Sequence, residues 1–303
     1  MFRLAHLSDP HLGPLPPSGW RALASKRALG LLSWQLRRRH IHVARSLEAV
    51  ARDIAQAGYD HIAVTGDLAN ISLPQEFERA RAWLESLGPA DRVTVVPGNH
   101  DAYVGMGWAQ GLAGWAPYMT GDDGRTPSGP DDFPFLRVRG KVALVGLSTA
   151  LPSGPLTATG AVGGGQMARA ERMLRDLGVQ DLFRIVLIHH PPQKSATSWR
   201  KRLVDAPQVR AMLGRVGAEL VLHGHLHRSV LGRIAGPAGD IPVLGVVSAS
   251  TDPESHYGAG GYHSLTGARE NGFWRLGVGI RGIEASAAGC QAESAFAMDV
   301  AAA

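Results

Sequence analysis

The chain carries a single cysteine, Cys290, among 303 residues. It can form no disulfide within itself, so the fold has to hold without covalent cross-links, as is usual in a reducing compartment. Long apolar runs are missing too. Stretches such as Val142 to Leu147 and Ile241 to Val247 fall far short of the roughly 20 residues that a membrane-spanning helix needs. The opening run, Phe2 to Leu7, is apolar and strand-like, with no basic leader and no small-residue cleavage site ahead of it. No export signal is therefore expected, and the cytoplasm is the expected location. The most informative absence is local. No acidic residue occurs from Pro10 to Leu47, whereas Arg21, Lys26, Arg27, Arg37, Arg38, Arg39 and Arg45 place seven positive charges there. The rest of the chain holds 24 basic and 26 acidic residues, so the whole net charge of +5 stems from this one segment. A patch of that kind points to an anionic partner close to it.

What is present is the composition of a folded globular protein, 45% hydrophobic and 19% charged, with 38 glycines and 19 prolines for tight connections. The length allows one large α/β domain or two smaller ones. Short β-like runs alternate with amphipathic stretches. Strands are expected at Arg3 to Ser8, His61 to Thr65, Arg92 to Val96, Val142 to Leu147, Arg184 to Ile188 and Glu219 to Leu222. Helices are expected at Ile41 to Ala57, Pro74 to Leu87 and Gln166 to Leu177, each followed by a glycine. Past Gly224 the runs Val230 to Ile234, Ile241 to Val247 and Phe273 to Ile280 lack intervening helices, which suggests a second sheet. Beyond about Ala285 the residues are small and weakly patterned, and a loosely held tail is expected over 286–303.

Metal-ligand residue types recur where successive strands end: Asp9-Pro10-His11, Gly66-Asp67, Gly98-Asn99-His100-Asp101, His189-His190 and His223-Gly224-His225-Leu226-His227. Singly, Gly66-Asp67 or Gly98-Asn99 reads equally well as a strand-ending turn. Five such runs in order, each after an apolar strand, converge in an open α/β sheet, where loops beyond the carboxyl ends of the strands meet. His190 and His223 alternate to the other strand face and are read as core groups or as groups supporting the ligands from behind, and not as ligands. Asp252, His256 and His263 are read as members of a solvated loop.

This ordered set, spanning Asp9 to His227, resembles the calcineurin-like metallophosphoesterase superfamily, with every position of its ligand pattern filled. The resemblance implies an α/β fold, a four-layer α/β/β/α sandwich of two mixed sheets flanked by helices. One domain is expected over 1–285, with an insertion at about 14–40 after the first strand and a surface loop at about 120–134. It also implies two divalent transition-metal ions, with manganese, iron or zinc suited to the donors. Asp9, His11 and His227 would hold one ion, Asn99, His189 and His225 the other, and Asp67 would bridge them. A metal pair about 3.5–4 Å apart cleaves a phosphodiester or pyrophosphate bond by attack of a bridging hydroxide. His100 is then expected to assist the leaving group, with Asp101 orienting its imidazole.

The basic insertion, if helical from Ser18 to Arg39, would align Trp20, Leu23, Ala24, Leu31 and Trp34 on one face. The run Gln193 to Leu203 offers a second basic and aromatic flap with Trp199 and Arg200. Trp20, Lys26, Arg27, Trp34, Trp199 and Arg200 are accordingly the expected substrate contacts. The run Ser25-Lys26-Arg27-Ala28-Leu29-Gly30, followed by Trp34 and Arg37-Arg38-Arg39, is similar to the insertion in one group of UDP-2,3-diacylglucosamine pyrophosphatases of lipid A synthesis. That similarity implies an anionic, phosphorylated and acylated substrate, and contact of the segment 20–45 with the inner face of a membrane. The alternatives are a soluble cyclic-nucleotide or general phosphodiesterase, or a non-catalytic scaffold on the same fold. No nucleic-acid module is recognisable, so no nucleic-acid partner is expected.

Overall fold

The computed structural model describes residues 1–301, apart from residues 24, 195 and 287–288. Its first sheet is built around β1 (Phe2–Leu7), which pairs in parallel with β2 (His61–Val64), itself parallel to β3 (Val93–Val95). The return half of that sheet comes from β10 (Gly261–Glu270), β11 (Phe273–Ile283) and β12 (Cys290–Ala301), all antiparallel, in the order β12-β11-β10-β1-β2-β3. The second sheet comprises β4 (Phe135–Arg139), β5 (Val142–Gly146), β6 (Phe183–Leu187), β7 (Leu220–His223), β8 (Val230–Ala235) and β9 (Asp240–Gly245), in the order β4-β5-β6-β7-β9-β8. Its central strands are parallel and its two edge pairs antiparallel. A lone bridge from Ser8 to Ser248 joins the sheets beyond the ends of β1 and β9.

Helices cover both outer faces. After the short α1 (Trp20–Leu23) and α2 (Arg27–Leu36), α3 (Ala44–Ala57) buries Leu47, Val50 and Ile54, the spacing expected from the sequence, and stops at left-handed Gly58. Likewise α4 (Pro74–Leu87) buries Phe77, Ala80 and Leu84. On the second sheet, α5 (Gly164–Gly178) and α6 (Ala206–Val216) share one apolar cluster with the outward faces of β5, β6 and β7. The larger cluster fills the space between the sheets, with Leu4, Val64, Leu144, Leu187, Leu222 and Leu276 among its members. Two mixed sheets between helices are the expected sandwich.

Two expectations fail. The tail is not loose: β12 pairs with β11 from Phe273↔Ala301 to Ile283↔Cys290. It is an edge strand whose side chains are mostly exposed, so backbone pairing holds it and small residues suffice. Nor does His263 lie in a solvated loop. It is a buried residue of β10, paired in register with His6, and its Nε2 lies 3.0 Å from Ser229 Oγ.

Candidate metal centre

All five ligand-bearing runs leave their strands at the same edge of the sandwich. The parallel pairing of β1 and β2 continues past their ends: the backbone N–H of Asp9 donates to Gly66 O at 2.9 Å and that of His11 to Asp67 O at 3.1 Å. Five of the seven expected ligands have left-handed backbones, with φ of 53° at Asp9, 40° at His11, 57° at Asp67, 70° at His225 and 53° at His227. Such conformations cost on the order of 1–3 kcal/mol each and persist where the surroundings impose them. Here the imposition is visible. The Asp9 carboxylate accepts the His225 N–H at 2.9 Å, and Asp67 Oδ1 accepts the His100 N–H at 2.7 Å. A Cβ at Gly224 would stand 1.9 Å from Ser8 Oγ and 2.5 Å from Asp9 Oδ2. Glycine at 224 is what lets the β7 loop lie against β1.

The side chains converge in two sets that share Asp67. One donor atom each from Asp9, His11 and Asp67 lies within 4.8 Å of the others, as do donors from Asp67, His189 and His225. His227 Nε2 stands 3.1 Å from Asp9 Oδ1 and 3.2 Å from His11 Nε2, and Asn99 Oδ1 stands 3.2 Å from His189 Nε2. His189 shows what the arrangement requires. Its Nδ1 donates to Thr65 O at 2.6 Å, so in the neutral ring Nε2 is a bare lone pair. That lone pair faces two oxygens, Asn99 Oδ1 at 3.2 Å and Asp67 Oδ2 at 3.3 Å. A proton on Nε2 or a bound metal ion would reconcile three acceptors at such distances. Burial disfavours a proton there, but the Asp67 carboxylate outweighs burial and pushes His189 up to about 9. A divalent ion fits the same place with the donor chemistry it prefers. His225 donates from Nε2 to Lys201 O at 2.9 Å, which turns Nδ1 to the cluster.

His100 and Asp101 part company. The Asp101 carboxylate accepts the backbone N–H groups of Asp67, Ala69 and Gly98, each at 2.8 Å. It buckles the β2 and β3 loops together and does not orient His100. That task falls to Asn70, whose carbonyl accepts His100 Nδ1–H at 2.6 Å, while the ring stacks on Tyr103 with centroids 5.4 Å apart. Burial first, then the nearby Arg38 charge, lowers His100 to about 3, so its ring is neutral at pH 7.

Over the cluster opens a cavity of about 480 Å³ whose wall includes Arg37, Arg38, Tyr103, Lys201, Arg228 and Tyr257. None of the six expected substrate contacts is part of that wall. Trp34 is 5% exposed and packs over Gly13, where a Cβ would stand 2.8 Å from its ring. Arg27 donates to Ile71 O and Ser72 O, and Lys26 donates to Ser153 O, Ser153 Oγ and Thr157 O. These three pin the insertion to the domain. Trp20 and Trp199 remain exposed, at 75% and 64%, and Arg200 lies over the Trp199 ring at 5.5 Å. The single long helix is also absent, because α1 and α2 are separate and Ala24 lies outside the described residues.

Comparison with known proteins gives the family and the fold. The family model described as calcineurin-like phosphoesterase matches residues 2–229, from β1 to just past His227. This chain belongs to that family. No curated protein sequence matches it. Among solved structures, a dimetal phosphatase from Danio rerio is similar at a TM-score of 0.64 and 12% identity, with 96% of this chain and 98% of that one covered. A purple acid phosphatase from yellow lupin (Lupinus luteus) seeds is similar at a TM-score of 0.62 and 13% identity, with 98% of this chain covered but only 53% of that one. At such identities the likeness is one of fold. The chain is a metal-dependent phosphoesterase, and its family works with a pair of divalent ions. Among the described residues no helix is long and apolar enough to cross a membrane.

The phosphoesterase site contains two residues that the sequence did not single out. Arg38 appears there only as one charge of a basic run, yet it reaches His11 Nδ1 at 2.7 Å. His42 follows that run without any ligand spacing, yet it forms a third donor group with His11 and His227. The signal available was proximity to a basic patch in a chain where seven of the other twelve histidines sit at or just past strand ends. His190 and His223, by contrast, are buried and hydrogen-bonded, to Thr149 Oγ1 at 2.7 Å and Gly224 O at 2.8 Å, in keeping with core roles.

Proposed function

We propose that this phosphoesterase cleaves a phosphodiester or pyrophosphate bond in a substrate that also carries an apolar chain. The observation behind this reading is a ridge on α2: Leu29, Leu32 and Leu36, spaced by three and four residues, are exposed, and Leu36 is 73% accessible. The opposite side of the same helix buries Gly30 and Trp34. Gly30, Ser33, Arg37 and Arg38 line the cavity itself. Basic groups for a diphosphate and a leucine ridge for acyl chains thus lie on one short segment. UDP-2,3-diacylglucosamine in lipid A synthesis is the specific substrate that this segment's resemblance suggests, and the same ridge would rest against a membrane surface.

Asp9, His11, Asp67 and His227 would hold one ion, and Asp67, Asn99, His189 and His225 the other. Two bound ions would supply charge neutralisation at the phosphoryl oxygens and an acidified water for attack. Arg38, in the cavity wall against His11 and His100, is placed to take a phosphoryl oxygen as a charge-assisted partner. The Asn70 carbonyl fixes the neutral ring's proton on Nδ1 and leaves a bare lone pair at Nε2. For a proton to pass to the leaving group there, Nε2 must first take one up from water, giving an imidazolium whose Nδ1–H the Asn70 carbonyl already accepts. Replacing His100 with asparagine is expected to lower kcat about 10²–10³-fold on an alkyl leaving group. The loss should be much smaller on a nitrophenyl ester, which departs without a proton. Equal losses on both would make His100 a packing residue.

The substrate reading is tested by rates on UDP-2,3-diacylglucosamine, cyclic AMP and a generic diester, each with manganese, iron or zinc. The acylated pyrophosphate is expected to be fastest, whereas a preference for cyclic AMP would favour a soluble phosphodiesterase. Changing Leu32 and Leu36 together to glutamate removes roughly 1.5–3 kcal/mol of apolar contact per side chain. KM for the acylated substrate should therefore rise about tenfold or more, while the generic diester shows no such rise.

A further inference from the structure

The metal-centre reading accounts for seven ligands, but an eighth donor faces the same cluster. His42 sits on a short extended link between the turn Arg38–His40 and α3. That link is fastened on both sides. Its backbone bridges Thr251, Val43 N–H donates to Ser250 O at 2.9 Å, and Asp252 N–H donates to Ile41 O at 2.7 Å. The ring is buried at 6% exposure, with Nδ1 2.8 Å from Ser250 Oγ. With Nδ1 engaged there, Nε2 is the free nitrogen. The His42 centroid lies 4.5 Å from that of His11 and 5.5 Å from that of His227. One nitrogen from each of the three rings lies within 4.8 Å of the others. No hydrogen-bond partner takes up His42 Nε2 among the described contacts, and the His11 and His227 rings lie beside it.

We propose that His42 is a further imidazole ligand of the first ion, beside Asp9, His11, Asp67 and His227. The proposal rests on the metal-centre reading and deepens it. Its first consequence concerns metal choice. A third nitrogen shifts the donor set of that ion from carboxylate towards imidazole, which favours cobalt, nickel or zinc over manganese. The second consequence concerns the insertion. His42 N–H donates to Arg38 O at 2.9 Å, and Arg38 is part of the cavity wall. Filling the first ion's place would thereby fix the C-terminal end of the basic segment, where it forms the cavity wall.

The test uses the full chain loaded with Co²⁺ and does not depend on turnover. Each ligated neutral histidine carries one exchangeable ring N–H, which a bound Co²⁺ moves far outside the normal proton NMR range. The wild type should show five such signals, from His11, His42, His189, His225 and His227. His42→Ala and His42→Gln should each show four. Calorimetry should find one Co²⁺ site weakened tenfold or more and the other unchanged, with Mn²⁺ gaining on Co²⁺ in competition at the weakened site. Circular dichroism of the two variants separates loss of a ligand from loss of fold, and glutamine keeps a polar group beside Ser250. Four signals in the wild type, or unchanged affinity at both sites in both folded variants, would overturn the proposal. A wild type that binds no Co²⁺ at all would overturn the metal-centre reading beneath it as well.

Discussion

Replacing Asp67 with alanine is expected to abolish hydrolysis of an activated phosphodiester, by roughly 10³-fold or more, because two donor sets lose their common member at once. Asp67 is the residue shared by the groups built on Asp9 and His11 and on His189 and His225. Its loss removes a ligand from both ions and the charge that opposes burial of His189. Several kcal/mol of transition-state stabilisation depend on metal ions in such a site. Elemental analysis after dialysis should show the metal content falling together with the rate. Asp67→Asn separates two causes, since its amide oxygen can still accept the His100 N–H that Asp67 Oδ1 accepts at 2.7 Å. A rate close to wild type with full metal content in Asp67→Ala would sink the assignment of the ligands.

The largest expected effect on stability lies at the other end of the strands. Arg184 and Glu219 are both 1% exposed and form a two-pronged pair, Nε to Oε2 at 2.9 Å and NH2 to Oε1 at 2.8 Å. The remaining guanidinium nitrogen donates to Leu174 O and Val216 O, both at 2.9 Å. One side chain thus closes the last turns of α5 and α6 and the starts of β6 and β7. Arg184→Met leaves a carboxylate buried without its counter-charge and four polar contacts unmade. That costs about 3–5 kcal/mol, or roughly 5–15 °C in Tm for a chain of this size. Urea unfolding gives the direct value. Adding Glu219→Leu should recover much of the loss, because the stranded charge dominates it. A single variant as stable as the wild type would show that water reaches the pair. The metal site, past the opposite ends of β6 and β7, should keep its activity per folded molecule.

How far the sequence could be read follows from how local each feature is. Strand ends are local: an apolar run, then Gly66-Asp67 or Gly98-Asn99, can be read without the rest of the chain, and five such runs in order mark a candidate site. The helices α3 and α4 were legible for the same reason, since their buried positions repeat at 3.6 residues within a single element. The insertion was not. Its stripe depended on one continuous helix, and the break between α1 and α2 turned Trp34 inward over Gly13 and left Leu29, Leu32 and Leu36 facing out. Strand β12 escaped notice because an edge strand is held by backbone hydrogen bonds, which no side-chain pattern reports.

By itself, the sequence determined the layered α/β class and the phosphoesterase family and pointed to the candidate ligand residues, because each is written in a short run of neighbours. Only the tertiary structure decided which groups face one another. It set Asn70 rather than Asp101 behind His100, turned Lys26 and Arg27 from expected substrate contacts into anchors, and brought Arg38 and His42 beside His11. These outcomes depend on the register between strands far apart in the chain and on left-handed turns at five ligand residues, and spacing along the sequence carries neither.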